Sequence, residues 1–499
     1  MTELLPFGPG ALAFVGVYLL SLLAIGYAGR QARRDDSLSD FYLAGSGFGL
    51  VVLFLTLYAT QYSGNALFGF VGAAYRSGFG WLVSAHFMVA IIVFYRLYAA
   101  PLRRLAATHR FVTPADYLMH RYGSRTLATV ASLIMILALS NYLLAQLMTM
   151  GRVFEGLAGP LTGLAYPVGV AALAAIMLVY GTLGGMRAVA WTDVIQGSVL
   201  FVGFIAVLIM LTLEFGPLSA ATDRLLDAGN EHLIRRPDGP SLRLWLSYIL
   251  LVGIGGALYP QAIQRIYAAR SARTLSQSFA LMAFMPFVTV VITLIAGIYA
   301  AAYLPGLSGP ESDQAMARLL RVVQAGSTFG YALVALLFAA LLAALMSTAD
   351  SAMLSISSMV TKDLYAENRT QRPPERVLTR LGKRCSLVVI VALTVLAIAL
   401  RDHASLVALI DRKFDVLVQL APAFMLGIHW TRLRAGPVLA GMVIGLVIAL
   451  ALAFGPWPFV VSGRVAGIHP GLIGLAINAA VAIGGSLLGD PQRRLPLPA

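Results

Sequence analysis

Apolar runs of about 18 residues or more recur along the whole 499-residue chain, and no other feature constrains its fold as strongly. A run of that length is what an α-helix needs to cross a hydrocarbon layer. In lipid, every backbone N–H and C=O must find its partner within the protein, so repeated apolar runs fold as a helix bundle. Hydrophobic residues make up 59% of the chain and charged residues 12%, against about a quarter charged in a soluble domain. The fold class is therefore an all-α polytopic membrane protein.

Thirteen transmembrane helices are predicted, at about 10–28, 48–75, 81–100, 126–154, 165–181, 190–213, 242–267, 278–303, 331–360, 386–400, 405–430, 435–454 and 471–488. The net charge of +14 collects in alternate connections, above all around Arg103–Arg110 and Arg369–Arg384. A basic excess in short loops marks the cytoplasmic side. The charge is therefore read as topology and not as a nucleic-acid surface, with the N-terminus outside and the C-terminus inside. No basic, cleavable leader is read at the N-terminus, so the first run is expected to be retained. A single cysteine, Cys385, excludes an intrachain disulfide and any multi-cysteine metal site.

Polar residues inside such runs are expensive and mark function. Two stretches stand out. AALMSTADS (343–351) sets the hydroxyls of Ser347 and Thr348 beside Asp350 and Ser351 in an otherwise apolar helix. YATQYSGN (58–65) interrupts the second run, and Gly64 with the small polar residues around it favours an unwound turn. Unwound backbone survives at membrane depth only where protein or a water-filled cavity covers it. Freed carbonyls there, with two hydroxyls opposite, suit a weak and reversible site for a hard monovalent cation. In the seventh run, Tyr259-Pro260-Gln261 follows Gly253, Gly255 and Gly256, and the proline predicts a kink or break. The two interruptions lie five helices apart, the spacing of two five-helix repeats of inverted topology.

Three stretches resemble the sodium/solute symporter family, which includes sodium-coupled sugar, proline and pantothenate carriers. They are DFYLAGSGFG (40–49) leading into YATQYSG, YGTLGGMRAVAWTDVIQG (180–197) and AALMSTADSAMLSISSMVTKDLY (343–365); QRIYAARS (264–271) is a weaker fourth. The resemblance implies a LeuT-like five-plus-five inverted repeat. An extra N-terminal helix would occupy 1–34, the first repeat 35–213 and an external loop 214–241. The second repeat would follow at 242–430, then two C-terminal helices and a cytoplasmic tail at 431–499.

The resemblance also implies sodium as the coupling ion. Its ligands would be the carbonyls of Ala59, Tyr62 and Ala344 and the hydroxyls of Ser347 and Thr348. Asp193 matches an acidic residue tied to sodium binding or release, and with Asp350 and Ser351 it marks a candidate second-ion or release path. The proline carriers carry an acid where this chain has Gln61, which argues against a proline-type substrate mode. Substrate contacts are expected beside the breaks: Gln61, Ser63, Asn65, Asn141, Tyr142, Gln146, Gly256, Tyr259 and Gln261. GAAYRSGFGW (72–81) leans toward the pantothenate and monocarboxylate branch. In DRKFD (411–415), Lys413 is suited to attracting a carboxylate, although mutual pairing of these charges is the plainer reading.

The implied function is secondary active symport of a small organic solute across the cell membrane, the inner membrane in a bacterium. Two alternatives stand beside it: a proton-coupled carrier of the same fold, and a transporter-like sensor that needs a separate signalling partner. No nucleophile or histidine–carboxylate constellation points to an enzyme. The sequence leaves the solute and the oligomeric state open.

Overall fold

The computed structural model describes residues 9–62, 64–158, 164–236, 238–326, 328–371, 373–401, 406–461 and 463–488. Those residues are almost wholly helical. Among them, nine helices are long and apolar enough to cross a membrane, or ten if one bent pair is counted as a single span. The Thr328–Met359 helix lies at the centre. In the span that contains it, 88% of the apolar window is buried within the protein, against 22% for the spans at Ala13–Gln31 and Glu375–Ala399. The former is packed among helices, while the latter two face lipid.

Both predicted interruptions are present. One helix ends at Gln61, Tyr62 leaves helical geometry at φ −103°, ψ 84°, and the next helix starts at Gly64. The seventh run divides into Gly239–Ala257 and Pro260–Ala268, bent by 51°. Pro260 opens the second segment, where its missing N–H costs nothing.

The loop expected between the fifth and sixth runs shrinks to one residue. Helical geometry runs from Ala165 to Phe215 except at Gly185, with φ 60° and ψ −148°. An unbroken helix of that length would extend about 75 Å, far more than one bilayer crossing needs. A Cβ on Gly185 would lie 2.4 Å from the Phe41 carbonyl. Arg187, expected in the loop, is instead buried and pairs with Asp40 at 2.8 Å. The stretches DFYLAGS and YGTLGGMRAV thus meet through one ion pair and one close backbone approach.

The basic connection before the tenth run is also more helical than its charge suggests. The helix there starts at Glu375 and carries Arg376, Arg380, Lys383, Arg384 and Cys385.

Two consequences are testable. Gly185→Ala combines a positive φ with a backbone clash, and strain of this kind costs about 1–3 kcal/mol; a lowered melting temperature and yield of purified protein are expected. His469, outside the last span, is pushed down to about 3 from its usual 6.5, by burial and by the Arg464 and Arg412 charges. The folded protein favours the neutral ring, so its contribution to stability is complete above pH 6.5 and fades toward 3. A His469→Gln variant should therefore lose less melting temperature on acidification than the parent.

Candidate ion and solute site

Four distant segments meet at one carboxylate. Asp193 accepts hydrogen bonds from the hydroxyls of Thr56 and Ser347, and Arg265 Nη2 donates to it at 2.9 Å. The same guanidinium donates from Nε to Thr56 Oγ1 at 2.8 Å, from Nη2 to Ser351 Oγ at 2.7 Å and from Nη1 to the Gln261 carbonyl at 3.1 Å. All of these side chains except Gln261, whose carbonyl alone takes part, meet at the pair, and every residue named is fully buried. A buried ion pair repays its desolvation only when the remaining polar groups are also satisfied, and here each charged end has hydroxyl or carbonyl partners.

This cluster adjoins the predicted ion ligands. Ala59 and Tyr62 sit where the Leu50–Gln61 helix ends, one to two turns beyond Thr56. Ala344, Ser347 and Thr348 follow one another on the central helix. A serine hydroxyl that gives its proton to a carboxylate keeps its lone pairs for a cation, and the anion polarises them. Ser347 is held in that way by Asp193. The Thr348 hydroxyl is fully buried and has no hydrogen-bond partner among the described residues. Such an orphan is costly in an apolar interior, and its oxygen is able to take a cation as ligand. The donor set is oxygen only, which fits a hard monovalent ion.

Arg265 falls near the end of the predicted seventh span, 242–267, where a basic residue ordinarily anchors at the interface. It lies instead inside the Pro260–Ala268 helix with no solvent exposure. Its guanidinium stands between Asp193 and Ser351, where a second cation was considered. Asp350 turns away from that cluster: the Tyr180 hydroxyl donates to one of its oxygens, and the other has no partner among the described residues. Sequence reading missed Arg265 and Thr56; the QRIYAARS match carried the signal for the arginine.

The solute candidates separate into groups. A cavity of about 650 Å³ is lined at its inner end by Gln61, Tyr142 and Tyr259, and at its mouth by residues of the connection around Arg235 and Arg236. The Gln61 amide donates to Tyr95 Oη at 2.6 Å and to the Gly256 carbonyl at 3.4 Å, which puts Gly256 just behind the wall. Asn141, Gln146 and Gln261 are not part of the lining. Gln146 and Gln261 are buried, and neither amide atom of Gln261 has a partner among the described residues. Ser63 and the side chain of Asn65 lie outside the described residues.

A model of the sodium:solute symporter family matches residues 41–445. The chain is 27% identical over 441 residues to the osmoregulated proline transporter OpuE of Bacillus subtilis, covering 87% of both chains. It is 26% identical over 483 residues to the sodium/pantothenate symporter of Escherichia coli, covering 95% of both. Among solved structures it resembles a substrate-bound, outward-open Na+-coupled sialic acid symporter, with TM-score 0.80 at 20% identity over 98% of this chain and 100% of that one. A nucleobase-cation-symport-1 family transporter in a closed conformation gives TM-score 0.58 at 13% identity, over 89% of this chain and 94% of that one. At these identities the structural likenesses speak for the fold, which is that of LeuT-like sodium symporters.

The buried pair sets an expectation for mutation. Arg265→Met leaves an uncompensated carboxylate and should cost about 3–5 kcal/mol, as should Asp193→Leu for the opposite reason. The double variant should recover a large part of either loss, measured as melting temperatures in a double-mutant cycle. Additive losses would show that the two charges do not depend on each other.

Proposed function

The chain belongs to the sodium:solute symporter family, and on that premise we propose that it takes up a small organic solute with sodium by alternating access. It is a multi-pass membrane transporter and not an enzyme, and sodium is its ion. Its bacterial relatives agree with a place in a bacterial inner membrane.

The finer reading keeps thirteen spans, with the N-terminus outside and the C-terminus inside. Counting 165–215 as two crossings that meet at Gly185, separating the helices on either side of 78–82, and adding the segment that starts at Leu406 takes the ten spans to thirteen. The inverted repeats are assigned to 35–213 and 242–430, flanked by the N-terminal helix 1–34, the external loop 214–241 and the C-terminal region 431–499. The cavity then opens outside, on the side of the 214–241 loop.

Sodium is assigned to the carbonyls of Ala59, Tyr62 and Ala344 and the hydroxyls of Ser347 and Thr348. The observation that carries this is the buried Thr348 hydroxyl, which has no hydrogen-bond partner among the described residues, beside a helix that breaks at Tyr62. Asp193, with Asp350 and Ser351, is assigned to ion release. The Arg265 guanidinium between Asp193 and Ser351 favours that role over a second sodium. Gln61, Tyr142 and Tyr259 are the solute contacts the cavity supports best, with Gly256 behind them; Ser63, Asn65, Asn141, Gln146 and Gln261 remain assigned more loosely. A monocarboxylate, a pantothenate-like or an amino-acid-like solute fits the relatives.

The energetics are adequate. One charge moving down 100 mV releases about 2.3 kcal/mol, and a tenfold sodium gradient adds about 1.4 kcal/mol. Together these accumulate a neutral solute several-hundredfold with one sodium per cycle. For a monovalent anion carried with one sodium, the voltage contributions cancel and about tenfold remains.

A second reading, proton coupling, draws on the buried Asp350 oxygen that has no hydrogen-bond partner among the described residues. Sodium decides between them. Sodium, and not potassium, should raise the melting temperature of the purified protein, and Thr348→Ala should move the half-saturating concentration at least tenfold upward while the protein still folds. A sodium response unchanged in that variant removes the assignment, and no sodium response in the parent favours the proton.

A further inference from the structure

We propose that the basic ends of the spans Ala13–Gln31 and Glu375–Ala399 together hold the headgroup of an anionic phospholipid, its phosphate between Arg30 and Lys383 with Arg33 behind them. The proposal needs only the membrane class of the chain and is independent of its ion and its solute.

The first argument is charge. Residues 30–40 and 375–384, with Arg187, carry eight cationic side chains and four acids, Asp35, Asp36, Asp40 and Glu375. The acids are engaged within the protein. Asp40 pairs with Arg187 at 2.8 Å, and Asp36 with Arg33 at 3.1 Å and with Arg376 at 3.0 Å. Glu375 accepts from the Leu38 N–H at 3.1 Å, and Asp35 from the Ser37 N–H at 2.9 Å. Arg30, Arg34, Arg380, Lys383 and Arg384 have no ion-pair partner among the described residues. A cluster of this size at the end of membrane helices attracts anionic headgroups.

The second argument is convergence. Phe41 is fully buried on the short Leu38–Leu43 helix. The Arg33 guanidinium lies 5.4 Å from the centroid of its ring, and the Lys383 ammonium 5.3 Å from the same centroid. Two cations from segments 350 positions apart thus share one ring. Arg30 and Arg33 both lie near enough to repel the Lys383 charge. The buried Arg33 Nε donates to no acceptor among the described residues. Like charges held together by the fold are relieved by an anion between them, and a phosphate presents oxygens to donors on several sides.

The third argument separates a lipid from a soluble phosphate. Lys383, Leu387, Val391 and Val395 follow at intervals of four, so they share one face of their helix. Arg30, Tyr27, Leu20 and Val17 form the matching line on the other span. The apolar residues of both lines are exposed, and these two spans bury only 22% of their apolar windows within the protein. Each line runs from a cation into the hydrocarbon. A ligand with a phosphate at the cations and acyl chains along the two lines covers both, whereas a soluble phosphate covers neither line.

The test uses purified full-length protein, delipidated in detergent and melted with added lipid. Phosphatidylglycerol should raise the melting temperature and phosphatidylcholine should not. Glycerol 1-phosphate, the soluble source of the same group, should have no effect at equal phosphate. Native mass spectrometry of the parent should show phosphatidylglycerol retained over phosphatidylcholine from an equal mixture. The double variant Arg30→Gln/Lys383→Gln should raise half-saturation by phosphatidylglycerol about tenfold or more. The charge-keeping variant Arg30→Lys/Lys383→Arg should bind as the parent does, and so should Arg235→Gln/Arg236→Gln, which removes two exposed cations elsewhere. The proposal is overturned if the two lipids act alike, if glycerol 1-phosphate replaces the lipid, if the double Gln variant binds as the parent does, or if the Arg235/Arg236 variant loses as much.

Discussion

The arrangement depends on how one buried negative charge is compensated. Asp193 lies among apolar helices, where an unpaired carboxylate would cost several kcal/mol. Its partners come from three other segments: Thr56 on the helix that breaks, Arg265 on the bent helix, and Ser347 on the central helix. Satisfying one charge therefore fixes the relative positions of both interrupted helices and the hydroxyl pair. The ion ligands are positioned by a group that, in this proposal, touches no ion. Any sodium bound near Ser347 would feel Asp193 through that hydroxyl, and Arg265 offsets the same charge from the other side.

That balance bears on affinity. A sodium site with a carboxylate in its coordination shell tends to hold its ion tightly, and a carrier must also release it. Five neutral oxygens, with the anion one bond removed and half neutralised by a guanidinium, give attraction without a trap. Away from the cavity lie further polar contacts, buried or half-buried. Asp40 pairs with Arg187, Lys362 with Asp116, and the Asp363 carboxylate accepts from Thr113 at 2.6 Å and Ser132 at 2.8 Å.

Much of this was legible in the sequence, for identifiable reasons. The membrane class follows from run length alone. The breaks at Tyr62 and before Pro260 follow from residues that disfavour helix locally, so a local reading finds them. Arg265 is different. A basic residue near the end of an apolar run normally anchors at the interface, and only a partner 72 positions upstream makes burial affordable; no local pattern carries that information. The stretch around Arg376–Arg384 was read as loop because charge interrupts hydropathy, whereas the helix simply continues past the apolar zone. Lys413 shows the same limit. Mutual pairing within DRKFD was the plainer reading, and Arg412 with Asp415 obeys it; the Lys413 ammonium lies in addition over the ring of Tyr142 on another helix, which the local pattern does not show. The cationic cavity draws its charges from positions 76, 235, 236, 413 and 464, which only the tertiary fold assembles.

In the proposed cycle of alternating access, the two ends of the path would be built from different physics. The open end is wide, cationic and lined by long side chains that solvent can reach, so admitting or losing a solute there breaks few buried contacts. The sealed end is held by the ion pairs and hydroxyl–carboxylate bonds around Asp40, Asp116 and Asp363, together with backbone pairing of Phe48 with Ala268 and Arg270 at 3.1 and 2.9 Å. These contacts tie the stretch before the first broken helix to the stretch after the second. Opening that end means separating buried polar partners, which is favourable only if water enters as they part. The two broken helices are joined at one end by these contacts and at the centre by Asp193 and Arg265. Two short helical segments, Leu50–Gln61 and Pro260–Ala268, thus lie between the central ion pair and these contacts.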